Sequence, residues 1–283
     1  MGTISEKLPL PKQGSGTIFA FAIYSLKYKL NVRIKSNMDE QVKESSEKAD
    51  YSLKLKNNLG LDGNPVAVRI SNGNRQGLKK WQRKTTLCML IQNARKGLSL
   101  YCPGESIVCN GSALVGIGNS PSWDCENFLF KREKIVGSKT AARRMLALAT
   151  VQSPQVGKSI IFAPLMKADF QPDVVVFVGT PLQISRILFL DAFETGEIDT
   201  LHKEPLCSGV ISAPKATGRI GVSFLDMSCR SFGHYKPEEM AIGVPYHRIP
   251  KIVENIDHSV AGTAKSSLPL RLLPALLNSF GSK

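Results

Sequence analysis

Long apolar stretches are scarce in this sequence. The clearest one, residues 16–26, is shorter than the roughly 20 residues that a membrane-spanning helix needs, so no transmembrane segment is predicted. Basic residues precede it, as in a secretion signal, but no small-x-small cleavage site follows. The six cysteines are therefore expected to be reduced thiols of a cytoplasmic protein rather than a disulfide framework.

Familiar catalytic and binding motifs are also absent. The sequence has no P-loop, no H-E-x-x-H string, no G-x-S-x-G string and no complete dinucleotide fingerprint. None of the cysteines has C-x-x-C spacing, which excludes zinc ribbons and the common ferredoxin patterns. With 42% hydrophobic and 21% charged residues, the composition excludes a wholly disordered chain, a collagen and a coiled coil. These absences leave open whether the protein is an enzyme.

Acidic residues are few beside basic ones, and the formal net charge is +14. The two ends hold most of the excess, because residues 1–37 carry +5 and residues 259–283 carry +3. We expect residues 1–37 to be a flexible appendage or an extension upstream of the true start. Residues 259–283 are expected to form a loosely attached tail, and residues 38–258 a single globular domain.

Apolar runs alternate with helical patterns along the central part of the chain. This alternation predicts an α/β or α+β fold with a buried mixed sheet and flanking helices. Strands are predicted at residues 64–71, 98–102, 159–165, 173–179, 207–214 and 219–226, and helices at residues 38–59, 86–96, 139–149, 180–196 and 249–256.

The clearest local signal is a helix start at Thr180. Thr180 is a suitable N-cap, Pro181 suits the first helical position, and Gln183 completes a capping box. Free amides at this end of a helix can bind an anion, so Thr180 is a candidate ligand contact. Arg230 is a second candidate, because its guanidinium could pair with a carboxylate or a phosphate.

An internal echo suggests two duplicated half-units, residues 60–150 and 151–258. A strand, a helix ended by glycine and a Cys-x-Gly string occur in this order twice. On this interpretation Cys109 and Cys207 hold equivalent positions in the two half-units.

Several strings together resemble the domain of unknown function 169 family, over roughly residues 50–257. The strings are NPVAVRI, CNGSALVGIG, FQPDVVVFVGTPLQISRIL, CSGVISAP and CRSFGHYKPEEMAIGVP, and they occur in the expected order. The resemblance implies a cytoplasmic protein of archaea or anaerobic bacteria. It implies no particular reaction, because the family has no established activity.

The cysteines provide the candidate metal site. Cys109, Cys207 and Cys229 lie in the family-like strings, and Arg230 follows Cys229 with a charge that favours a thiolate. We expect these three cysteines to converge between the half-units, with Cys102 as a reserve ligand. Thiolates select soft metals, so the hypothesis includes an iron–sulfur cluster or another soft metal.

Three hypotheses follow, in order of preference. The first is a metal-dependent or cofactor-dependent protein that uses the cysteine site. The second is a non-catalytic binding module for an anionic small molecule around Thr180 and Arg230. The third is a nucleic-acid binder that uses the basic run at residues 75–84, which includes Trp81. The sequence predicts no oligomeric state.

Overall fold

The computed structural model describes residues 42–73, 77–118, 124–149 and 157–261. Contacts divide the chain into two units, residues 1–46 and residues 47–283. Of the first unit, only residues 42–46 are described, and they are helical. The predicted appendage at residues 1–37 lies outside the described residues. No helix in the described ranges is long and apolar enough to cross a bilayer.

The second unit is built on an eight-stranded mixed sheet with helices packed against it, which confirms the predicted fold class. The spatial order of the strands is β2-β3-β4-β1-β5-β8-β7-β6. Their bounds are β1 Val66–Ser71, β2 Lys79–Lys80, β3 Leu100–Pro103, β4 Ser159–Pro164, β5 Val174–Gly179, β6 Thr200–His202, β7 Ile220–Ser223 and β8 Met240–Pro245.

Helices cover both faces of the sheet, so its central strands are apolar on both sides. Along β5, Val174 and Val176 belong to one apolar cluster, whereas Val175 and Phe177 belong to the other, as the alternation of side chains along a strand requires. Helix α1 comprises residues 42–59, and its part within the second unit, residues 47–59, lies on one face with α6 (Pro181–Asp191) and α9 (Ile249–Glu254). The other carries α2 (Leu87–Arg95), α3 (Gly111–Leu114), α7 (Ala213–Thr217) and α8 (Met227–Gly233), and α4 (Cys125–Asn127) and α5 (Lys139–Ala149) complete the helices.

The two halves of the sheet have the same topology. Strands β1 to β4 and strands β5 to β8 follow the same order from the centre outwards, and β1 pairs with β5 where the halves meet. In each half the two outermost strands, β2 with β3 and β6 with β7, are parallel, and the remaining pairs are antiparallel. The boundary between these halves falls between Pro164 and Val174. Origin by duplication stays a prediction.

Residues 207–214 are helical, so their prediction as a strand was wrong. A π-helix at Ser208–Ser212 continues directly into α7, and together they cross over between the parallel strands β6 and β7. The misreading has a physical reason. A short segment that is buried on all sides is apolar throughout, whether it is a strand or a helix, and periodicity cannot separate the two.

Glycines allow this helical crossover to lie directly on the sheet. A Cβ atom on Gly221 would be 1.9 Å from the carbonyl oxygen of Gly209, and one on Gly243 would be 2.0 Å from that of Val210. Neither distance is possible for a real side chain. The bare backbone of β7 and β8 is therefore what lets the helix backbone approach, and it fixes the position of Cys207 at the start of the helix.

The capping box predicted at Thr180 is confirmed. The Thr180 hydroxyl accepts a hydrogen bond from the Gln183 amide at 3.5 Å, and Gln183 Oε1 accepts one from the Thr180 amide at 2.7 Å. Pro181 occupies the first turn. Sequence alone therefore determined where α6 begins.

A buried arginine holds the first residues of the predicted tail. The guanidinium of Arg186 donates to Ser259 Oγ at 3.0 Å, to the Ala261 carbonyl at 2.8 Å and to the Ile256 carbonyl at 3.2 Å. Residues 259–261 are thus tied to α6. Residues 262–283, to which the expectation of loose attachment also applied, lie outside the described residues.

We expect Gly243→Ala to destabilise the protein by roughly 1–3 kcal/mol, because the added methyl group meets a backbone oxygen that cannot rotate away. Gly137→Ala is the matched control, since nothing lies within 4 Å of the added atom there. Its effect should stay within about 0.5 kcal/mol. Urea unfolding measures both values, and equal stabilities would contradict the close approach of the crossover to the sheet.

Candidate functional site

A cavity of about 420 Å³ lies on the face of the sheet that carries α2, α3, α7 and α8. Its volume is within the range of small-molecule sites. Residues from both halves of the sheet line it, and five of the six cysteines are among them. We call it the thiol cavity, and its cysteines are Cys88, Cys109, Cys125, Cys207 and Cys229.

The structure brings the three predicted metal ligands to this cavity but does not form a metal centre from them. Cys109, Cys207 and Cys229 all line it. Within the described ranges, however, no group of three or more Cys, His, Asp or Glu side chains is arranged to hold a metal ion. Metal binding therefore stays a prediction.

The reserve ligand, Cys102, does not line the cavity. It is fully buried in β3, and its thiol donates to the Pro103 carbonyl at 3.5 Å. Burial raises the pKa of Cys102 to about 12. The side chain points into the apolar layer, so it does not serve as a ligand at the cavity.

Four of the cavity cysteines come from equivalent places in the two halves. Cys88 begins the crossover helix between β2 and β3, and Cys207 begins the one between β6 and β7. Cys109 follows β3 as Cys229 follows β7. The topology thus relates Cys88 to Cys207, whereas the sequence echo had related Cys109 to Cys207. A repeated Leu-Cys pair marks the topological match, because Leu precedes Cys at both 87–88 and 206–207.

Cys88 is surrounded by hydrogen-bond donors. It is the second residue of α2, whose N-cap is Thr86, and the Thr86 hydroxyl lies 3.0 Å from its sulfur. Its thiol also shares a hydrogen bond with the thiol of Cys229. The hydrogen bond from Cys229 is the largest of the effects that lower the pKa of Cys88, and it outweighs burial, which raises it.

Cys229 holds the proton of this pair. Asp226 caps α8, and its carboxylate accepts a hydrogen bond from the Cys229 amide at 2.8 Å. The hydrogen bond to Cys88, burial and the negative charge of Asp226 raise the pKa of Cys229 well above its usual value. The two thiols therefore titrate as a unit, in which Cys88 loses its proton more readily and Cys229 is the hydrogen-bond donor to the Cys88 sulfur.

Cys109 and Cys207 have a different environment. Burial raises the pKa of both thiols, and negative charge on Cys109 would raise the pKa of Cys207 further. Cys125 is less buried, and its pKa is also raised by burial. The pKa values of these three cysteines are therefore raised, whereas the pKa of Cys88 is lowered.

Carboxylates make the wall beside Cys229 acidic. Glu133 and Asp226 line the cavity, and Glu133 accepts hydrogen bonds from both the amide and the hydroxyl of Ser228. Burial raises the pKa of Glu133. Behind this wall, burial raises the pKa of Glu204 to about 7.

Asn110 supplies an unused acceptor. Its side-chain oxygen is buried at the cavity wall and has no hydrogen-bond partner among the described residues. Buried polar atoms in folded proteins are nearly always hydrogen-bonded. Asn110 is therefore suited to bind a donor group on a molecule in the cavity.

The two predicted anion contacts lie elsewhere. Neither Thr180 nor Arg230 lines the thiol cavity. The guanidinium of Arg230 donates to the carbonyls of Phe224 at 2.9 Å, Glu239 at 3.2 Å and Lys236. Its donors thus serve the chain around α8, and anion binding by Thr180 or Arg230 stays a prediction.

The basic run at residues 75–84 is only partly described, because residues 75 and 76 are not. Lys79 and Lys80 form the exposed edge strand β2. Trp81 packs against the apolar cluster of the cavity face, and Lys84 donates to the Glu105 carbonyl at 2.9 Å. Nucleic-acid binding by this run stays a prediction.

Sequence reasoning missed Cys88, the carboxylates Glu133 and Asp226, and the role of Thr86. Cys88 lies outside the family-like strings that contain the three predicted cysteines. Its position two residues after a threonine N-cap was a usable signal, because helix N-termini favour thiolates. Glu133 carried no comparable signal, since its contact with Ser228 joins residues far apart in sequence.

Fold and site together define a three-layer α+β protein with a thiol-lined cavity between two topologically matched halves. The sequence profile of the domain of unknown function 169 family, described as uncharacterised ArCR, matches residues 54–255. The chain belongs to this family. It is 26% identical over 222 residues to an uncharacterised protein of Methanocaldococcus jannaschii, which covers 74% of this chain and 93% of that protein. No solved structure matches the chain significantly.

Cys229→Ala should raise the pKa of Cys88, because it removes the main hydrogen-bond donor to the thiolate. At pH values below the pKa of Cys88, the rate of its alkylation by iodoacetamide should fall about 2- to 10-fold. This factor corresponds to the free energy of one hydrogen bond. Peptide mass spectrometry across a pH series measures this rate. Cys125→Ala is the control and should leave the profile of Cys88 in place. Superimposable profiles for Cys229→Ala and the unsubstituted protein would refute the thiol–thiol hydrogen bond.

Proposed function

We propose that the thiol cavity binds a small, mostly apolar molecule, either a substrate or an organic cofactor, and that the Cys88 thiolate contacts it. The observation that carries the proposal is the position of Cys88 at the cavity wall, where Thr86 and Cys229 both hydrogen-bond its sulfur. Donors held around a thiolate are typical of cysteines that react with a ligand rather than pack in a core.

The lining favours a neutral molecule over an anion. Leu87, Val108 and Phe232 contribute apolar surface, and Asn110 offers a single unpaired acceptor. Glu133 and Asp226 stand on the same wall as the Cys88–Cys229 pair. A ligand with an apolar body and one hydrogen-bond donor matches this distribution, since small-molecule sites combine apolar walls with a few polar groups.

A thiolate in such a site is a nucleophile for an electron-poor carbon or sulfur atom. The proposal therefore makes the protein thiol-dependent, and it includes enzymatic activity. It also requires reduced cysteines, which agrees with the cytoplasmic location that the sequence predicts.

Two maleimides with the same reactive group test the proposal. N-Benzylmaleimide should modify Cys88 with saturable kinetics, and faster than N-methylmaleimide after each rate is divided by its rate with free N-acetylcysteine. Val108 lines the cavity and is partly exposed, so Val108→Trp should reduce the space for a ligand and slow the benzyl reagent at least about tenfold, the equivalent of 1.4 kcal/mol.

Leu148→Trp is the matched control, because Leu148 is an exposed apolar residue on α5 that does not line the cavity. It should leave both rates unchanged. Normalised rates that are equal for the two reagents, and unaffected by Val108→Trp, would exclude ligand binding in the cavity as the basis of Cys88 reactivity.

A soft-metal or iron–sulfur site is the second candidate function. The observation that favours it is that four cysteines from the two halves, in two neighbouring pairs, line one cavity. Holding a metal would require these thiols to move together, because the described residues contain no ready group of three ligands.

Protein purified without oxygen should then contain iron or another soft metal in a fixed ratio to the chain, with visible absorption if a cluster is present. Replacing both Cys109 and Cys207 by serine should remove the metal, whereas Cys102→Ser should not. Metal-free protein from anaerobic cells, with all six thiols titratable after denaturation, would exclude this candidate.

A further inference from the structure

Cys88 and Cys229 are held against each other by contacts at both ends of the pair. On one side Asp226 binds the Cys229 amide at 2.8 Å, and on the other the Tyr235 hydroxyl donates to the Cys88 carbonyl at 3.0 Å. Tyr235 is buried, and it ties the chain that follows α8 to the first turn of α2. The two thiols are thus fixed as neighbours by the backbone as well as by their own hydrogen bond.

The helices that carry the two cysteines also approach closely. A Cβ atom on Gly233, near the end of α8, would lie only 3.6 Å from the Cβ of Cys88. Gly233 lies one helical turn after Cys229, so the same face of α8 meets Cys88. A disulfide requires the two sulfurs to close to about 2.05 Å, which rotation of the two side chains must supply.

We propose that Cys88 and Cys229 form a reversible disulfide by exchange with a small, neutral disulfide bound in the thiol cavity. The protein would then be a dithiol oxidoreductase for low-molecular-weight disulfides. The inference rests on the proposed function for entry of the substrate, and it adds the substrate class and a second reacting residue.

The two cysteines have distinct roles in the exchange. The Cys88 thiolate attacks one sulfur of the substrate R–S–S–R, which forms a mixed disulfide Cys88–S–S–R and releases RS⁻. Cys229 then attacks the Cys88 sulfur, which forms the Cys88–Cys229 disulfide and displaces the second RS⁻. The proton of Cys229 passes to a released thiolate. The protein loses two electrons, and the substrate gains them as it becomes two thiols.

The environment of each sulfur suits its role. Thr86 and Cys229 stabilise Cys88 as the attacking thiolate, and Cys229 keeps its proton until the mixed disulfide removes the charge on Cys88. Cys109 and Cys207 also line the cavity, but burial raises the pKa of both and keeps them neutral thiols. Their neutrality leaves the pair Cys88 and Cys229 as the one prepared for exchange among the described cysteines.

Exchange with 2,2′-dithiodipyridine tests the inference, because this neutral aromatic disulfide matches the apolar lining and each displaced pyridine-2-thione absorbs light. The sample is the full chain with Cys109→Ser and Cys125→Ser, which together remove the two partly exposed thiols. It should release two pyridine-2-thiones per chain, lose the mass of two hydrogens, retain no adduct, and yield a peptide in which Cys88 is joined to Cys229.

Adding Cys229→Ser to this background should stop the reaction after one released group, with the pyridyl adduct retained on Cys88. Adding Cys102→Ser instead is the matched control and should still release two. A second measurement avoids substitutions altogether. In the unsubstituted chain, brief oxidation followed by alkylation after denaturation should leave Cys88 and Cys229 unlabelled while Cys207 is labelled.

A stable adduct on Cys88 in the presence of Cys229, or a disulfide between Cys88 and any other cysteine, would overturn the inference. Either result is compatible with a preference for N-benzylmaleimide, so the cavity could still bind a ligand. Equal reactivity of the two maleimides together with two released pyridine-2-thiones would instead leave the dithiol exchange standing without the proposed ligand binding.

Discussion

A helix rests directly on two strands that have no side chains at the point of contact. Gly221 and Gly243 leave room for the carbonyls of Gly209 and Val210, and no other residue type fits there. The cavity depends on this contact, because it positions the helix that begins at Cys207. The facing helices, α2 and α8, then supply the remaining wall.

Local signals in the sequence were sufficient for much of the fold. Continuous apolar runs identified β4 and β5, and the capping box at Thr180 located the start of α6. The crossover at residues 207–214 escaped because a short buried segment is apolar throughout whether it is a strand or a helix. Which strands pair, and hence the matched topology of the halves, depends on contacts far apart in sequence.

The candidate site could likewise be predicted only in part from the sequence. Cys109, Cys207 and Cys229 were selected from the sequence, and they do line one cavity. Cys88 was not selected, because its contact with Cys229 joins two helices far apart in sequence, and the N-cap at Thr86 was its one local signal. Spacing along the sequence also paired Cys109 with Cys207, whereas the strand order pairs Cys88 with Cys207. A repeat is therefore better aligned by strand topology than by offsets.

The matched halves do not make the cavity symmetric. Cys88 and Cys207 begin equivalent helices, yet Cys88 has a hydroxyl and a second thiol as donors, while burial keeps Cys207 neutral. The two matched positions thus differ in polarity. Under the proposed function, a molecule in the cavity would meet a reactive sulfur on one side and neutral thiols on the other, and an elongated ligand would have a preferred direction. The asymmetry would allow one cavity to distinguish the head of such a ligand from its tail.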